Sequence, residues 1–205
     1  MMFDMERVEI LRGPQGTLYG RNATGGLAHY VSRKPSEEFD ARAQASLGSF
    51  GTMTFDGAVG GQIAPGVSAR GAELVQHRND WIDNTQVAGD DNLGGYDETA
   101  GRFQLLFNPS DDLDILLNVH ARNLVGTSAI FRANVITTGT NGLNSNYRRR
   151  TVSYNQGGGN PQEYSGWGAS ANINYDFGDM VLTSITAYEQ TEGFSRGDID
   201  GGIAG

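Results

Sequence analysis

WGASANINYDF, residues 167–177, decides what kind of structure this chain builds. Trp167, Ala169, Ala171, Ile173, Tyr175 and Phe177 take every second position, with Gly168, Ser170, Asn172, Asn174 and Asp176 between them. Side chains alternate across a strand, so the segment has one greasy and one wet face. The same beat runs through Phe39, Ala41, Ala43, Ala45 and Leu47 against Asp40, Arg42, Gln44 and Ser46, and through Met53, Phe55, Gly57, Val59 and Ile63. Gly101 to Phe107 and Leu113 to Ala121 repeat it. Val67–Arg78 is less regular, because Leu74 and Val75 fall on opposite faces, and a last segment from about Val181 to Gln190 gives no facing. Seven strands are expected.

The connections add a second pattern. In order they are a tight Gly48–Gly51 link, a turn at Ile63–Gly66, a long stretch at Asn79–Glu98, a turn at Asn108–Asp112, a very long stretch at Asn123–Glu163, and a turn at Asp176–Asp179. Every even-numbered connection is short, and two of the three odd-numbered ones are long. Outer-membrane barrels show this asymmetry, with short periplasmic turns and longer extracellular loops. Alternation alone does not choose between a barrel whose greasy face meets lipid and a sandwich whose greasy face is core. Aromatic residues near strand ends, Phe107, Tyr164, Trp167, Tyr175 and Phe177, suit an interfacial girdle or a sandwich core.

Composition narrows the function classes. Thirty glycines among 205 residues, with five prolines and no collagen period, fit an all-β chain with many tight turns and close strand contacts. There is no cysteine, so disulfides, zinc–thiolate sites and thiol nucleophiles are excluded. A net charge of −9 argues against nucleic acid as a partner. No apolar run is long enough for a membrane helix, which leaves membrane strands open. The N-terminal MMFDMERVEI lacks the basic and apolar regions of a signal peptide, so the chain reads as a piece of a longer exported protein.

Residues 1–38 read differently from the rest. Val8 and Ile10 lead into the turn-rich Gly13-Pro14-Gln15-Gly16, and a second apolar piece, Leu27–Val31, follows Gly25-Gly26 and is closed by Lys34-Pro35. A compact strand–loop–strand unit is the economical reading. Gly20 to Gly26 has the glycine spacing of a phosphate loop, but Gly26 stands where the lysine belongs and no helical pattern follows. Asp90-Asp91-Asn92 fails the order of a calcium loop. His29, His77 and His120 share no ligand spacing, and no nucleophile–base or paired-carboxylate arrangement emerges. No catalytic residue, metal site or cofactor is expected.

The stretch ERVEILRGPQGTLYGRNATGG, residues 6–26, resembles the late plug segment of TonB-dependent outer-membrane receptors. The likeness rests on the Glu6-Arg7 start, the short apolar strand, Arg12-Gly13-Pro14, Gly16, Leu18-Tyr19-Gly20 and the Gly25-Gly26 pair. Val31-Ser32-Arg33-Lys34-Pro35 resembles the family's exit from plug to barrel. Ala28-His29-Tyr30 departs from the pattern, since the family more often has a small or apolar residue followed by asparagine.

The resemblance implies an all-β fold: about seven of the family's roughly twenty-two antiparallel transmembrane barrel strands, as an open curved sheet. A partial mixed α/β plug precedes it. Residues 1–38 would be the C-terminal part of the plug, and 39–205 the N-terminal portion of the barrel, with long extracellular loops near 79–98 and 123–163. The implied function is energised uptake of a scarce ligand, such as a ferric siderophore, across the outer membrane of a Gram-negative bacterium, without enzymatic chemistry. Implied partners are TonB of the inner-membrane energising complex, through an N-terminal segment outside this sequence, an iron–siderophore or other small ligand, and outer-membrane lipid with lipopolysaccharide. Arg12 would sit where plug arginines contact acidic groups of the inner barrel wall, in later strands; the alternative is that it bonds carbonyls of its own loop. Tyr19, Arg21 and Asn22 are candidate ligand-facing residues. Arg148-Arg149-Arg150 in the longest loop are candidates for gripping lipopolysaccharide phosphates or an anionic substrate. Two other readings stay open: a soluble β-sandwich binding module, which leaves residues 6–26 unexplained, and a small porin-like barrel, which leaves residues 1–38 without a role.

Overall fold

The structure, a computed structural model, describes residues 2–86, 92–154 and 160–202. Strand β1 (Met5–Arg12), a single helical turn α1 (Gly16–Tyr19) and strand β2 (Gly26–Ser32) form the N-terminal unit, with β1 and β2 paired antiparallel. There follow β3 (Asp40–Leu47), β4 (Met53–Ala64), β5 (Val67–Arg78), a two-residue β6 (Asp83–Asn84), β7 (Tyr96–Ser110), β8 (Leu113–Thr127), a two-residue β9 (Thr151–Val152), β10 (Pro161–Asp176) and β11 (Val181–Ser195).

Seven of these strands make one antiparallel meander in the order β11-β10-β8-β7-β5-β4-β3. Its edges, β3 and β11, pair with nothing further among the described residues, so the sheet is open. The other described strands form only two-stranded pairs, which removes the second packed sheet that a β-sandwich requires. The acidic Asp90 and Asp91 lie outside the described residues.

The register shows which face does what. Arg42, Ala58, Ala72 and Arg102 stand in one row across β3, β4, β5 and β7, and this face carries the N-terminal segment. The next row of the opposite face holds Ala41, Val59, Gly71, Phe103, Val119 and Ala169. The greasy alternation is therefore the bare outer face and the wet alternation is the inner one, as in a membrane barrel and opposite to a soluble sandwich. Leu74, which broke the alternation, packs on the inner face against a small cluster of Phe3, Ala58, Ala72 and Ala100. Its apparent misplacement is a contact with the N-terminal segment.

Two sequence expectations need correction. Tyr164 does not join an outer girdle: it pairs with Leu124 two residues from the inner-facing Arg122, whose guanidinium lies 5.0 Å over its ring. Trp167 and Tyr188 do meet on the outer face, with ring centroids 5.3 Å apart, and Tyr175 lies 4.4 Å from Phe177. The long connections are also shorter than expected, because β7 begins at Tyr96, β8 continues to Thr127 and β10 starts at Pro161. Ladder hydrogen bonds depend on backbone, so pairing continues past the apolar band where side-chain alternation fades.

Candidate functional site

The N-terminal segment is fastened to the inner wall at Asp4. This residue sits in the left-handed region at φ 52°, a conformation that aspartate tolerates better than most residues. Its carboxylate is enclosed (Asp4 is 1% exposed) and meets three arginines. Arg70 of β5, itself buried, donates from Nε to Oδ2 at 2.7 Å and from NH2 to Oδ1 at 2.6 Å. Arg42 of β3 donates to Oδ1 at 3.3 Å. Arg102 of β7 reaches Oδ2 at 3.4 Å and donates to the backbone carbonyls of Phe3 and Asp4 at 3.1 and 3.0 Å.

The wall supplies matching negative charge. Arg70 also binds Asp40 at 2.9 Å, and Arg42 lies 2.9 Å from Asp56. Asp4, Asp40 and Asp56 thus face the guanidinium groups of Arg42, Arg70 and Arg102, and Arg33 also approaches Asp40 at 3.9 Å. Burial alone would raise the Asp4 carboxyl's pKa, but the hydrogen bond from Arg70 and the charges of Arg70, Arg102 and Arg42 outweigh it and hold the group below its ordinary value. Beside this cluster Phe3 packs on Ala58, Ala72 and Ala100, under the Arg102 guanidinium 5.1 Å from its ring centroid. The two alanines between Arg42 and Arg102 in the row leave the space that the phenyl ring fills. A buried ion cluster contributes less to stability than its distances suggest, because each charge loses water; what it does provide is one seating for the segment.

The loop between β1 and β2 contains the motif residues. Gly13 (φ 82°) and Gly20 (φ 75°) occupy the left-handed region, and Gly13 donates its N–H to the Gly25 carbonyl. Gly26, at φ 127°, lies so close to Leu11 that a Cβ there would overlap its carbonyl oxygen. Pro14 and Gly16 lead into α1, and Gln15 donates its backbone N–H to the Ala23 carbonyl at 2.8 Å, which closes the loop over buried Ala23. Leu18, Tyr19, Arg21 and Asn22 are all exposed, with Asn22 at φ 70°. Tyr19 packs edge-on against His29, centroids 5.7 Å apart. Arg12 is exposed and forms no ion pair among the described residues, while its backbone carbonyl accepts a bond from Gln15. The charged contact seen between segment and wall has an acid on the segment and arginines on the wall, and it does not involve Arg12.

At the long-loop end of the sheet, the connections pack on one another. Asp83 and Asn84 of β6 pair in parallel with Thr151 and Val152 of β9. Ile82, Leu93, Val152 and Tyr154 form a buried cluster with Trp81 and Ile130 against it. Asn84, buried, accepts the Tyr154 N–H at 2.8 Å and donates to its carbonyl. Phe50 of the first connection stacks on Trp81 at 4.8 Å, and Arg150 lies over Phe50 while donating to the Trp81 carbonyl. Arg148 turns back to carbonyls of Ser145 and Tyr147, and the Arg149 carbonyl accepts from Arg132. The three arginines are exposed but separate in role: two brace the loop, and Arg149 has a side chain turned to solvent.

Asp4, Arg42, Arg70 and Arg102 were not singled out by sequence reasoning. The available signal was the presence of arginines at wet-face positions of three different strands.

Residues 1–27 match the TonB-dependent Receptor Plug Domain family. The chain is 31% identical over 108 residues to the pesticin receptor of Yersinia pestis, a match covering 53% of this chain and 16% of that protein. It is 52% identical over 46 residues to the metal-pseudopaline receptor CntO of Pseudomonas aeruginosa, covering 22% of this chain and 6% of that one. Its fold matches the ferric yersiniabactin uptake receptor FyuA of Yersinia pestis with a TM-score of 0.76 at 24% identity, over 94% of this chain and 29% of that one. The matches thus cover less than a third of each of these proteins.

Proposed function

We propose that this chain, which belongs to the TonB-dependent receptor family through its plug segment and its barrel strands, serves energised uptake of a ferric siderophore or similar metal chelate across the outer membrane. In this division of labour residues 1–38 act as the end of the plug and residues 39–205 as barrel with extracellular loops. The observation that carries the reading is the Asp4 junction: a segment matching the plug family is seated on the inner wall by one compact charge cluster. Such a seat holds at rest and is loaded as a unit by a pull along the chain, because its bonds converge on Asp4 and the adjoining Phe3 carbonyl. TonB, drawing on the plug, would supply that pull.

The relatives support the ligand class, being named for pesticin, metal-pseudopaline and ferric yersiniabactin. Tyr19, Arg21 and Asn22, exposed on the β1–β2 loop, would face the ligand, with Arg149 at the loop end offering a free guanidinium to an anionic chelate or to lipopolysaccharide phosphate. The chemistry required of the protein is binding and release, with no covalent step. The test is uptake of radioactive iron, presented as ferric yersiniabactin and as other ferric siderophores, into Gram-negative cells that express the receptor carrying this chain and lack competing receptors. Uptake that needs both the receptor and TonB is expected; uptake unchanged by deleting TonB, or none for any ferric chelate, overturns the proposal.

A further inference from the structure

We infer that His77 is a proton-operated latch: its charged ring holds the first connection, Ser49–Gly51, onto the loop cluster, and its neutral ring releases it. The inference goes beyond the uptake reading and stands on local geometry alone. His77 is the last outer-face residue of β5, opposite Met53 of β4 and Asp97 of β7. The outer row before it, Val75, Thr99, Asn123 and Ser165, is already largely polar, so His77 stands past the apolar band.

Both ring nitrogens of His77 face oxygen. Nδ1 lies 2.6 Å from Asp97 Oδ1, and Nε2 lies 2.8 Å from Asn79 Oδ1. A neutral imidazole has one N–H, whereas the charged ring has two and satisfies both acceptors. Asn79 carries the consequence into the first connection. Its backbone N–H donates to the Phe50 carbonyl at 3.0 Å, and its side chain lies against Gly51, where any Cβ would overlap it. Phe50 in turn stacks on Trp81, centroids 4.8 Å apart, and Trp81 packs on the buried cluster of Ile82, Leu93, Val152 and Tyr154.

The held element is strained. Phe50 has φ 63°, a left-handed conformation that is costly for a bulky side chain and persists only where the surroundings impose it. The connection therefore has a second arrangement within reach, in which Phe50 relaxes and leaves Trp81. The His77 side chain is 40% exposed, so protons from solvent reach it.

Its partners set the direction of the response. The hydrogen bond to Asp97, and then that to Asn79, raises the His77 pKa above its ordinary value. The latch is therefore complete below about pH 6.5, the ordinary histidine value, and is lost as pH rises through the raised one. The other charged groups around the ring are Arg78, which donates to the Gly94 carbonyl, and Asp80, which accepts the Gly95 N–H. Glu163 lies beyond Val125 in the same outer row, and Arg150 lies over Phe50. Met53 and the first connection bring no ionisable side chain, and His77 is the only histidine of the set.

The test places fluorotryptophan at position 81 alone in the receptor carrying this chain, purified in detergent. Its fluorine resonance is followed from about pH 5.5 to about pH 9. A one-proton step with its midpoint above about pH 6.5 is expected. His77→Gln should abolish the step and leave the resonance at its high-pH position throughout. Asp97→Asn should move the midpoint downward, and Phe50→Ala should remove most of the shift, because the moving ring is gone. No step in the unaltered protein, as when the Asn79 amide turns over to keep its bond with a neutral ring, would overturn the inference. So would a step that survives His77→Gln or Phe50→Ala, or a midpoint unmoved by Asp97→Asn. If His77→Gln impairs folding, the titrations of the unaltered protein and of Asp97→Asn decide the matter.

Discussion

Asp4 and Arg70 meet through two hydrogen bonds, 2.7 and 2.6 Å long, across 66 residues of chain, and both are buried where they do so. Removing one partner leaves the other charged and enclosed. Asp4→Ala should therefore cost about 3–5 kcal/mol of seating energy. Hydrogen exchange through β1 and β2 should speed accordingly while the paired interior of β7 and β8 stays protected. Unaltered exchange in β1 would show that the hairpin is held by other contacts.

The pH response of the same contact has a defined sign. The folded Asp4 carboxyl titrates below its ordinary value, so its contribution is complete above the unfolded pKa of about 3.9 and disappears as pH falls through the lowered folded value. Protection of β1 should thus be flat at mildly acidic pH and fall only in strong acid. In Asp4→Asn that acid step should vanish, and a titration of exchange rates would detect it.

Gly26 should not accept a side chain. Its positive φ and the nearby Leu11 carbonyl make Gly26→Ala cost roughly 1–3 kcal/mol in local strain. Gly25→Ala, with open space around its Cβ, should be nearly silent. Thermal unfolding of the two variants side by side measures the difference.

Asn84 joins two loops through the N–H and carbonyl of Tyr154. Asn84→Ala leaves those groups without partners in a buried site and should destabilise the loop cluster by about 1–3 kcal/mol. The loss should appear as faster exchange at Thr151–Tyr154 with little change in the seven-stranded sheet. A change spread evenly over the sheet would count against the loops being a separate unit.

Much of the sheet was legible in alternation, because a strand with one bare greasy face has no other way to arrange its side chains. Leu74 and Tyr164 depart from the simple pattern for opposite reasons. Leu74 is apolar but faces inward because Phe3 meets it there, while Tyr164 is aromatic but faces inward under Arg122. Both depend on contacts between distant segments. The charge cluster was hidden in the same way: Arg42 and Arg102 share a row only through three successive registers, β3 with β4, β4 with β5 and β5 with β7. The N-terminal motif, by contrast, carried its own local geometry, with Gly13, Gly20 and Gly26 all at positive φ.

The contact of Phe50 with Trp81, the pairing of β6 with β9, and the bond from the Ala133 N–H to the Gly201 carbonyl bear on how such a surface can diversify. Four stretches far apart in sequence share one scaffold, so a change in any of them alters the footing of the others. Exchanging a single loop between relatives would import a shape without its supports. A new specificity at this end of the molecule has to be inherited, or engineered, as a matched set.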